Sequence, residues 1–416
     1  MADCIIMKKP TMLEKIFIIY LCLIPVLEYY NSPVFVVNFS TFLAILFGLL
    51  FLMGKILHRT YTRKSILVVS LVYVCFIIIN TFLTLFLYKY NFKWNNFSSL
   101  FRLIVLFGCV IFLGSPHFSF EYAKKALRFI ICTASIIIII QFLLKNTIRF
   151  NFRPILTRLL RDKGYADAGT RFSGFYMEPA HFAYSATLYL VLEIFSSSYH
   201  KKKTPFILIT VVGVILSGSG QGYLFLAMIF AFWFLKMFYL SKKNANYLFI
   251  ASGVTLLLAA VCLIAFQIPY VQNSLHRLTS DNNTFGGIAL DGRISTKVFF
   301  ETLSKEKKLI GIGFGHVGDL TDLFVSSLYT HLIECGYFSI PFLILLVLPS
   351  LFQKRYYKLI LSVFFGLTVF FASGANPATL TFFLPFLYLD KQPFENLAIN
   401  NNLIRNNLTI VFSTEQ

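Results

Sequence analysis

The apolar run LRFIICTASIIIIIQFLL, residues 127–144, decides the fold class. Its length is close to the ~20 residues that a helix needs to cross the hydrocarbon of a bilayer. Residues 135–140 (SIIIII) do not alternate between polar and apolar side chains, so the run does not have the pattern of a membrane-barrel strand. Because backbone polar groups in lipid must be satisfied within each segment, the run predicts a transmembrane α-helix.

Comparable apolar runs recur along the whole chain, which is 57% hydrophobic and only 13% charged. A soluble protein of 416 residues would need more polar surface than this composition provides. The sequence therefore predicts an all-α polytopic membrane protein, with one integral membrane domain over 1–390 and a short tail at 391–416. About 12 transmembrane helices are expected, at 16–30, 34–54, 66–88, 100–114, 127–144, 179–198, 205–217, 221–240, 247–267, 324–351 (as one helix or as two), 358–372 and 378–390.

The positive charges predict which loops face the cytoplasm. The formal net charge of +19 could indicate a nucleic-acid partner. The basic residues, however, lie in loops between spans, where they set the orientation of the protein in the membrane, and we therefore predict no nucleic-acid partner. Every second short loop is basic, for example 201–203 (KKK). Since such loops stay in the cytoplasm, we expect both termini to be cytoplasmic and two large outer loops at about 145–178 and 268–323.

The first outer loop is rich in arginine, including Arg153, Arg158 and Arg161. Long loops translocate regardless of their charge, so the basic character has a simple explanation. Arginine, however, binds phosphate oxygens with two parallel hydrogen bonds, and the apolar residues interspersed here suggest an interfacial helix. We therefore favour binding of phosphate or lipid headgroups.

The stretch RFSGFYMEPAHFA, residues 171–183, gathers three ionisable groups in this apolar chain. Pro179 predicts the start of a helix, with Glu178 at or near its N-cap and His181 on the same face. Gly174 lets the loop before this helix turn tightly, and Arg171 is close enough in sequence to meet Glu178 or an anionic ligand. The alternative is structural: Glu178 caps the helix, Arg171 pairs with it, and His181 fills a polar gap. Ionisable groups at membrane depth are costly, which favours a functional role.

A second polar stretch covers residues 311–336. Alternating glycines around Gly313, followed by His316, predict a loop that folds close to another part of the chain. The pattern opens no βαβ unit and lacks the GK[ST] of a P-loop, so neither nucleotide motif is present. His331 and Glu334 share a helix face, which favours a satisfied packing pair over a metal site with so few ligands.

These motifs resemble those of Wzy-type bacterial polysaccharide polymerases, the O-antigen polymerases. Residues 171–183 match the signature R-x-x-G-x-x-x-E-P-x-x-x-A, in which Gly174 is the glycine. The segments DGRIST (291–296), GIGFGHV (311–317) and ECGYFSI (334–340) resemble the region after the large outer loop in that family and in the related O-antigen ligases. About 12 spans and two outer loops fit the family too.

The resemblance implies a glycosyltransferase of the bacterial inner membrane that acts on the outer (periplasmic) side. A chain on undecaprenyl pyrophosphate would be transferred to the non-reducing end of a new lipid-linked repeat unit, and undecaprenyl pyrophosphate would leave. The implied partners are undecaprenyl-pyrophosphate-linked oligosaccharides, membrane lipid and a chain-length regulator protein. Two alternatives stay open, an O-antigen ligase and a lipid-linked oligosaccharide flippase.

The chemistry of such a transfer suggests roles for the motif residues. A leaving pyrophosphate needs fixed cations, and the acceptor hydroxyl needs a base, for which Glu178 is the first choice and His181 the second. The short outer loop between the first two predicted spans, residues 31–34, holds no paired acids, so we expect a metal-independent enzyme without cofactors. The predicted catalytic residues are Glu178, His181, Arg171 and Arg293, and the predicted substrate-binding residues are Arg153, Arg158, Arg161, Gly174, Gly313 and His316.

The two alternatives are disfavoured for different reasons. Ligases carry a His-Asn pair about eleven residues before the glycine that matches Gly336, and here Val325 and Ser326 stand at those positions. Transporters place charged or unwound sites near the middle of the bilayer, often in repeated halves. The predicted spans are nearly free of charge at mid-depth, and no internal repeat is evident.

Overall fold

A computed structural model describes the chain over residues 10–30, 32, 37–58, 64–89, 93–149, 172–196, 203–241, 252–253, 294–319, 323–324, 327–352, 355–371 and 376–389. This part is almost entirely helical, as the sequence predicted. The first helices are α1 (Met12–Leu27), α2 (Phe39–His58), α3 (Lys64–Tyr88), α4 (Trp94–Val105), α5 (Phe120–Ile148), α6 (Pro179–Phe195), α7 (Thr204–Ser217) and α8 (Gly220–Ser241). The later ones are α9 (Thr296–Thr302), α10 (Lys305–Ile310), α11 (Ser327–Cys335), α12 (Ile340–Leu351), α13 (Tyr356–Phe371) and α14 (Pro377–Tyr388).

Short irregular elements connect some of these helices. Helix α4 continues as a π-helix, Leu106–Leu113, and 3₁₀ turns cover Ser115–His117, His316–Asp319 and Tyr337–Ser339. Two strands of two residues each, β1 (Ile294–Ser295) and β2 (Leu323–Phe324), form one parallel pair in which Ile294 lies opposite Leu323. This pair is too short to change the fold class.

Four helices are long and apolar enough to cross a membrane, judged by length and composition within the described residues. They cover Ile66–Tyr88, Trp94–Leu113, Phe120–Ile148 and Gly220–Tyr239. The pair Leu328–Cys335 and Tyr337–Pro349, which bends by 109°, counts as a fifth span if it is taken as one. It lies in the predicted span 324–351, for which the sequence left a break open. The number of about 12 spans stays a prediction, because most of 247–267 and the whole tail 391–416 lie outside the described residues.

Apolar side chains cover the outside of this helical bundle. Phe86 is 82% exposed and Phe129 is 74% exposed, while helix α6 buries 15 of its 17 residues. Helix α6 packs against α1, α5, α7, α8 and α13, so it lies in the middle of the bundle. Exposed aromatic and aliphatic side chains around a buried central helix are the arrangement expected for a protein that contacts lipid.

Local sequence signals explain where key helices begin. Thr11 and Glu14 form a capping box at the start of α1, in which the Glu14 carboxylate accepts from the Thr11 amide at 2.7 Å. Helices α6, α7 and α14 each carry proline in the first turn, where a backbone N–H would have no acceptor within the helix. The predicted start of α6 at Pro179 is confirmed.

Candidate functional site

Gly174 fixes the segment that leads into α6. Its φ of +62° is the left-handed conformation that glycine adopts readily, as the predicted tight turn requires. The amide of Gly174 donates to the side-chain oxygen of Gln141 at 3.1 Å, and the Gln141 side chain donates back to the Gly174 carbonyl at 3.4 Å. A Cβ at this position would lie 3.1 Å from the carbonyl oxygen of Ala134. The backbone of Gly174 is therefore bound to α5, and the residue positions the segment.

Glu178 occupies the N-cap of α6, as the sequence predicted. Its backbone is extended, with φ −130° and ψ 151°, and its side chain makes no capping hydrogen bond. The first turn is closed instead by the backbone, since the His181 amide donates to the Glu178 carbonyl at 3.1 Å. The carboxylate is partly exposed. The position of a cap residue is confirmed, but the carboxylate is not used for capping.

His181 lies one turn into α6 and is 7% exposed. Its imidazole stacks on the ring of Tyr29, with centroids 4.6 Å apart and planes 9° from parallel. The Tyr29 hydroxyl lies 3.1 Å from Nε2. Among the described residues, Nδ1 has no hydrogen-bond partner. His181 therefore has one nitrogen beside a tyrosine hydroxyl and a second, buried nitrogen whose hydrogen-bonding capacity is not used.

A buried polar network adjoins Tyr29. The Glu28 carboxylate accepts from the Asn38 amide group and from the Ser40 hydroxyl, each at 2.7 Å, and forms an ion pair with Arg102. Arg102 also donates to the side-chain oxygen of Asn376, the N-cap residue of α14. The network thus connects the end of α1, the start of α2, the last turn of α4 and the start of α14.

Sequence reasoning missed this network, although a signal for it was present. Glu28 lies in the predicted span 16–30 and Arg102 in the predicted span 100–114. An ionisable residue inside an apolar run is costly unless it is paired. One acid and one base in different spans could therefore have suggested a contact, but the sequence does not give the partner across 74 positions.

The glycine loop 311–317 folds onto helix α11, as the sequence predicted. The amide of Gly313 donates to the backbone oxygen of Glu334 at 2.9 Å. The Glu334 carboxylate in turn accepts from the amide of Gly315 at 3.0 Å and from that of Val317. Glu334 therefore holds the loop in place with its side chain as well as its backbone.

Glycine is required where this loop meets α11. Gly311 has φ +89°, and a Cβ there would lie 2.3 Å from the carbonyl oxygen of Glu334. In the predicted packing pair of His331 and Glu334, the Glu334 carboxylate has hydrogen-bond donors, the amides of Gly315 and Val317. His331 stacks on Tyr73 at 6.4 Å between centroids, and its Nε2 has no hydrogen-bond partner within the described residues.

Helix α4 links the glycine loop to the Glu28 network. The Asn96 side chain donates to the carbonyl of Phe314 at 2.8 Å, and Arg102 lies on the same helix, six residues or about 9 Å further along. His316 follows in the loop with a partly buried side chain. The motifs at 171–183 and 311–317 are thus connected through α1 and α4.

The predicted phosphate-binding arginines cannot be placed in this arrangement. All five lie outside the described residues, namely Arg153, Arg158, Arg161, Arg171 and Arg293. Among the described residues, no group of three His, Cys, Asp or Glu side chains is arranged to hold a metal ion. The roles of these arginines and the absence of a metal stay predictions.

A different charged cluster lies at the far end of α6. The Glu193 carboxylate, whose side chain is fully buried, pairs with Lys124 at 3.3 Å and with Arg128. Lys124 also donates to the Ser196 hydroxyl at 3.1 Å, and the Arg128 guanidinium lies 5.5 Å from the ring centroid of Phe206. This cluster has two cations for one carboxylate.

No protein-family model matches the chain, and neither a curated protein nor a solved structure is significantly similar to it.

Proposed function

We propose that the protein is a membrane glycosyltransferase that polymerises undecaprenyl-pyrophosphate-linked repeat units into O-antigen or capsular polysaccharide. One observation carries this proposal. The start of α6 presents two proton-accepting groups that its own helix does not use, the Glu178 carboxylate and the buried Nδ1 of His181. A polymerase needs a base for the acceptor hydroxyl, and a buried nitrogen without a hydrogen bond, such as Nδ1, is costly in a purely structural role.

The surrounding structure is compatible with this chemistry. Gly174 anchors the segment before Glu178, so that the two candidate bases lie on a fixed backbone. The Glu28 network and the glycine loop fix the neighbouring helix ends. In the proposed reaction, Arg171 and Arg293 would stabilise the charge that develops on the leaving pyrophosphate.

The test is the glycan profile of a strain that lacks the gene and is complemented with variants. Glu178→Gln removes the carboxylate and keeps the size of the side chain, and we expect surface glycan of one repeat unit in place of long chains. Glu306→Gln, which changes an exposed acid on α10, is the matched control and should restore wild-type banding.

Other profiles of the deletion strain would contradict the proposal. Long lipid-linked chains that accumulate without surface glycan would indicate a ligase. Repeat units retained on the cytoplasmic leaflet would indicate a flippase. If the strain complemented with Glu178→Gln showed wild-type banding, Glu178 would have no role in the reaction.

A further inference from the structure

A histidine that acts as a base must hold its imidazole in one orientation while substrate binds. The side chain of His181 has few polar contacts that could do this. Tyr29 covers one face of its ring, and Tyr184 meets it edge-on at 5.8 Å between centroids. Because the rings of Tyr29 and His181 are nearly parallel, the Tyr29 hydroxyl approaches Nε2 from the side of the ring face. Stacking therefore holds the imidazole more than the hydrogen bond does.

Tyr29 can serve this purpose because its neighbours in sequence are anchored. On one side, Glu28 is held by two neutral donors and by Arg102. On the other, the Tyr30 hydroxyl donates to the carbonyl of Phe175 at 2.9 Å. The backbone at Tyr29 is thus pinned on both sides, once to the helix bundle and once to the segment that precedes α6.

We propose that Tyr29 is a positioning residue for His181, and that it holds the imidazole with Nδ1 as the nitrogen that accepts the proton of the acceptor hydroxyl. This inference rests on the proposed function. It assigns the base to His181, whereas the sequence favoured Glu178. Glu178 keeps a role in the site as the carboxylate whose charge stabilises the imidazolium, so its removal still stops polymerisation. Tyr29 itself touches no reacting atom and acts through the imidazole.

The proton and electron balance of this step is complete. The acceptor hydroxyl gives its proton to Nδ1 while its oxygen forms a bond to the anomeric carbon. The bond from that carbon to the pyrophosphate oxygen breaks, and its electron pair leaves with undecaprenyl pyrophosphate. Nδ1 can accept only if the neutral ring carries its proton on Nε2, the nitrogen beside Tyr29. The imidazolium then returns its proton to water.

The test compares Tyr29→Leu, which removes the ring, with Tyr29→Phe, which keeps it. Tyr388→Leu and Tyr388→Phe are matched controls, because Tyr388 is also a buried tyrosine, bonded to the Leu346 carbonyl at the far end of α14. Diethyl pyrocarbonate, which acylates neutral imidazoles, reports on His181 by peptide mass spectrometry and needs no enzymatic activity. Turnover of lipid-linked repeats is measured from pH 6 to 9 in parallel, a range in which a histidine can titrate.

We expect Tyr29→Leu to raise the labelling rate of His181 several-fold and to lower kcat by about tenfold or more, with KM changed by less than about twofold. In Tyr29→Leu, the acidic side of the plot of kcat against pH should shift along the pH axis. In both Tyr388 variants it should stay where it is in the wild type. The groups that face the imidazole and could contribute to the acidic side of this plot are Glu178 and the hydroxyls of Tyr29 and Tyr184. Tyr29→Phe should keep the labelling rate near wild type.

Unchanged labelling and an unchanged pH profile in a folded Tyr29→Leu protein would overturn the inference. If Tyr29→Leu does not fold, Tyr29→Phe and Tyr29→Trp decide: both must keep His181 protected, and faster labelling in either would count against stacking as the cause. If the wild-type protein forms no polymer while Tyr29→Leu still exposes His181, the proposed function fails and the positioning role stands.

Discussion

The two ends of α6 show two ways in which a membrane bundle holds buried charge. His181 and Glu193 are twelve residues apart on this helix, which corresponds to about 18 Å. In the Glu28 network near His181, one carboxylate meets one guanidinium and two neutral donors, and the charges of this pair balance. Near Glu193, one carboxylate meets two cations.

This difference separates a candidate site from a cluster that serves packing. At the His181 end, the Glu28 carboxylate is paired within its own network, and among the described residues the Nδ1 of the histidine has no hydrogen-bond partner. At the Glu193 end, the carboxylate forms ion pairs with both Lys124 and Arg128, so this group of three side chains carries a net positive charge. In the predicted threading this second end faces the cytoplasm, where basic residues are retained.

Removal of Glu193 should have the largest effect, because it leaves two cations without their carboxylate. We expect Glu193→Gln to destabilise the protein by about 3–5 kcal/mol, or to prevent its accumulation in the membrane. Thermal unfolding in detergent measures the change. The control is Glu306→Gln, which alters an exposed acid on α10. Equal stability of the two variants would contradict the view that Glu193 is essential for packing.

A smaller effect is expected at the other end, since Arg102 is 26% exposed and can reach water. Glu28→Gln and Arg102→Gln should each cost about 2–3 kcal/mol. The double variant should recover about 1–2 kcal/mol, because it leaves no unpaired charge. Unfolding of all four proteins in one detergent gives the coupling, and strictly additive losses would show that the pair is not coupled.

The glycine loop should be less sensitive. Glu334→Leu leaves the amides of Gly315 and Val317 without their acceptor, which should cost about 1–2 kcal/mol. Glu334→Gln keeps an acceptor oxygen and is the control, with a smaller loss expected. Hydrogen exchange at the two amides locates the effect. Faster exchange in the leucine variant supports the assignment, and equal exchange in both variants contradicts it.

The smallest effect concerns Glu14, which precedes the predicted span 16–30 and pairs with His117 at 3.0 Å. Burial raises the pKa of Glu14, but the hydrogen bonds from His117 and Thr11 and the charge of His117 outweigh it, so the pKa lies below its usual value. A lowered pKa stabilises the fold above the pKa of the unfolded chain, and this stabilisation is lost as the pH falls through the folded value.

Unfolding of wild type and Glu14→Gln at several pH values tests this pair. The difference in melting temperature should shrink as the pH falls from about 4, near the pKa of the unfolded chain, through the lower folded value, below which the carboxyl is protonated in both states. If the difference in melting temperature grew towards acid pH, the pKa of Glu14 would be raised on folding and not lowered.

The sequence by itself determined the helices and several of their ends. Apolar runs require helices in lipid, and Pro179 predicted the start of α6 to the residue. The same local logic placed Glu178 at the cap and required a turn at Gly174. These features depend on neighbours within a few positions, which the sequence displays directly.

Only the tertiary structure decided which charged residues meet. Glu28 pairs with Arg102 and Arg102 with Asn376 across 74 and 274 positions, and Tyr29 stacks on His181 across 152. In an apolar bundle each buried charge must find a partner, but the partner is set by how the helices pack, because many arrangements share the same local sequence. The pairing of charges therefore follows from packing, whereas the helices follow from composition.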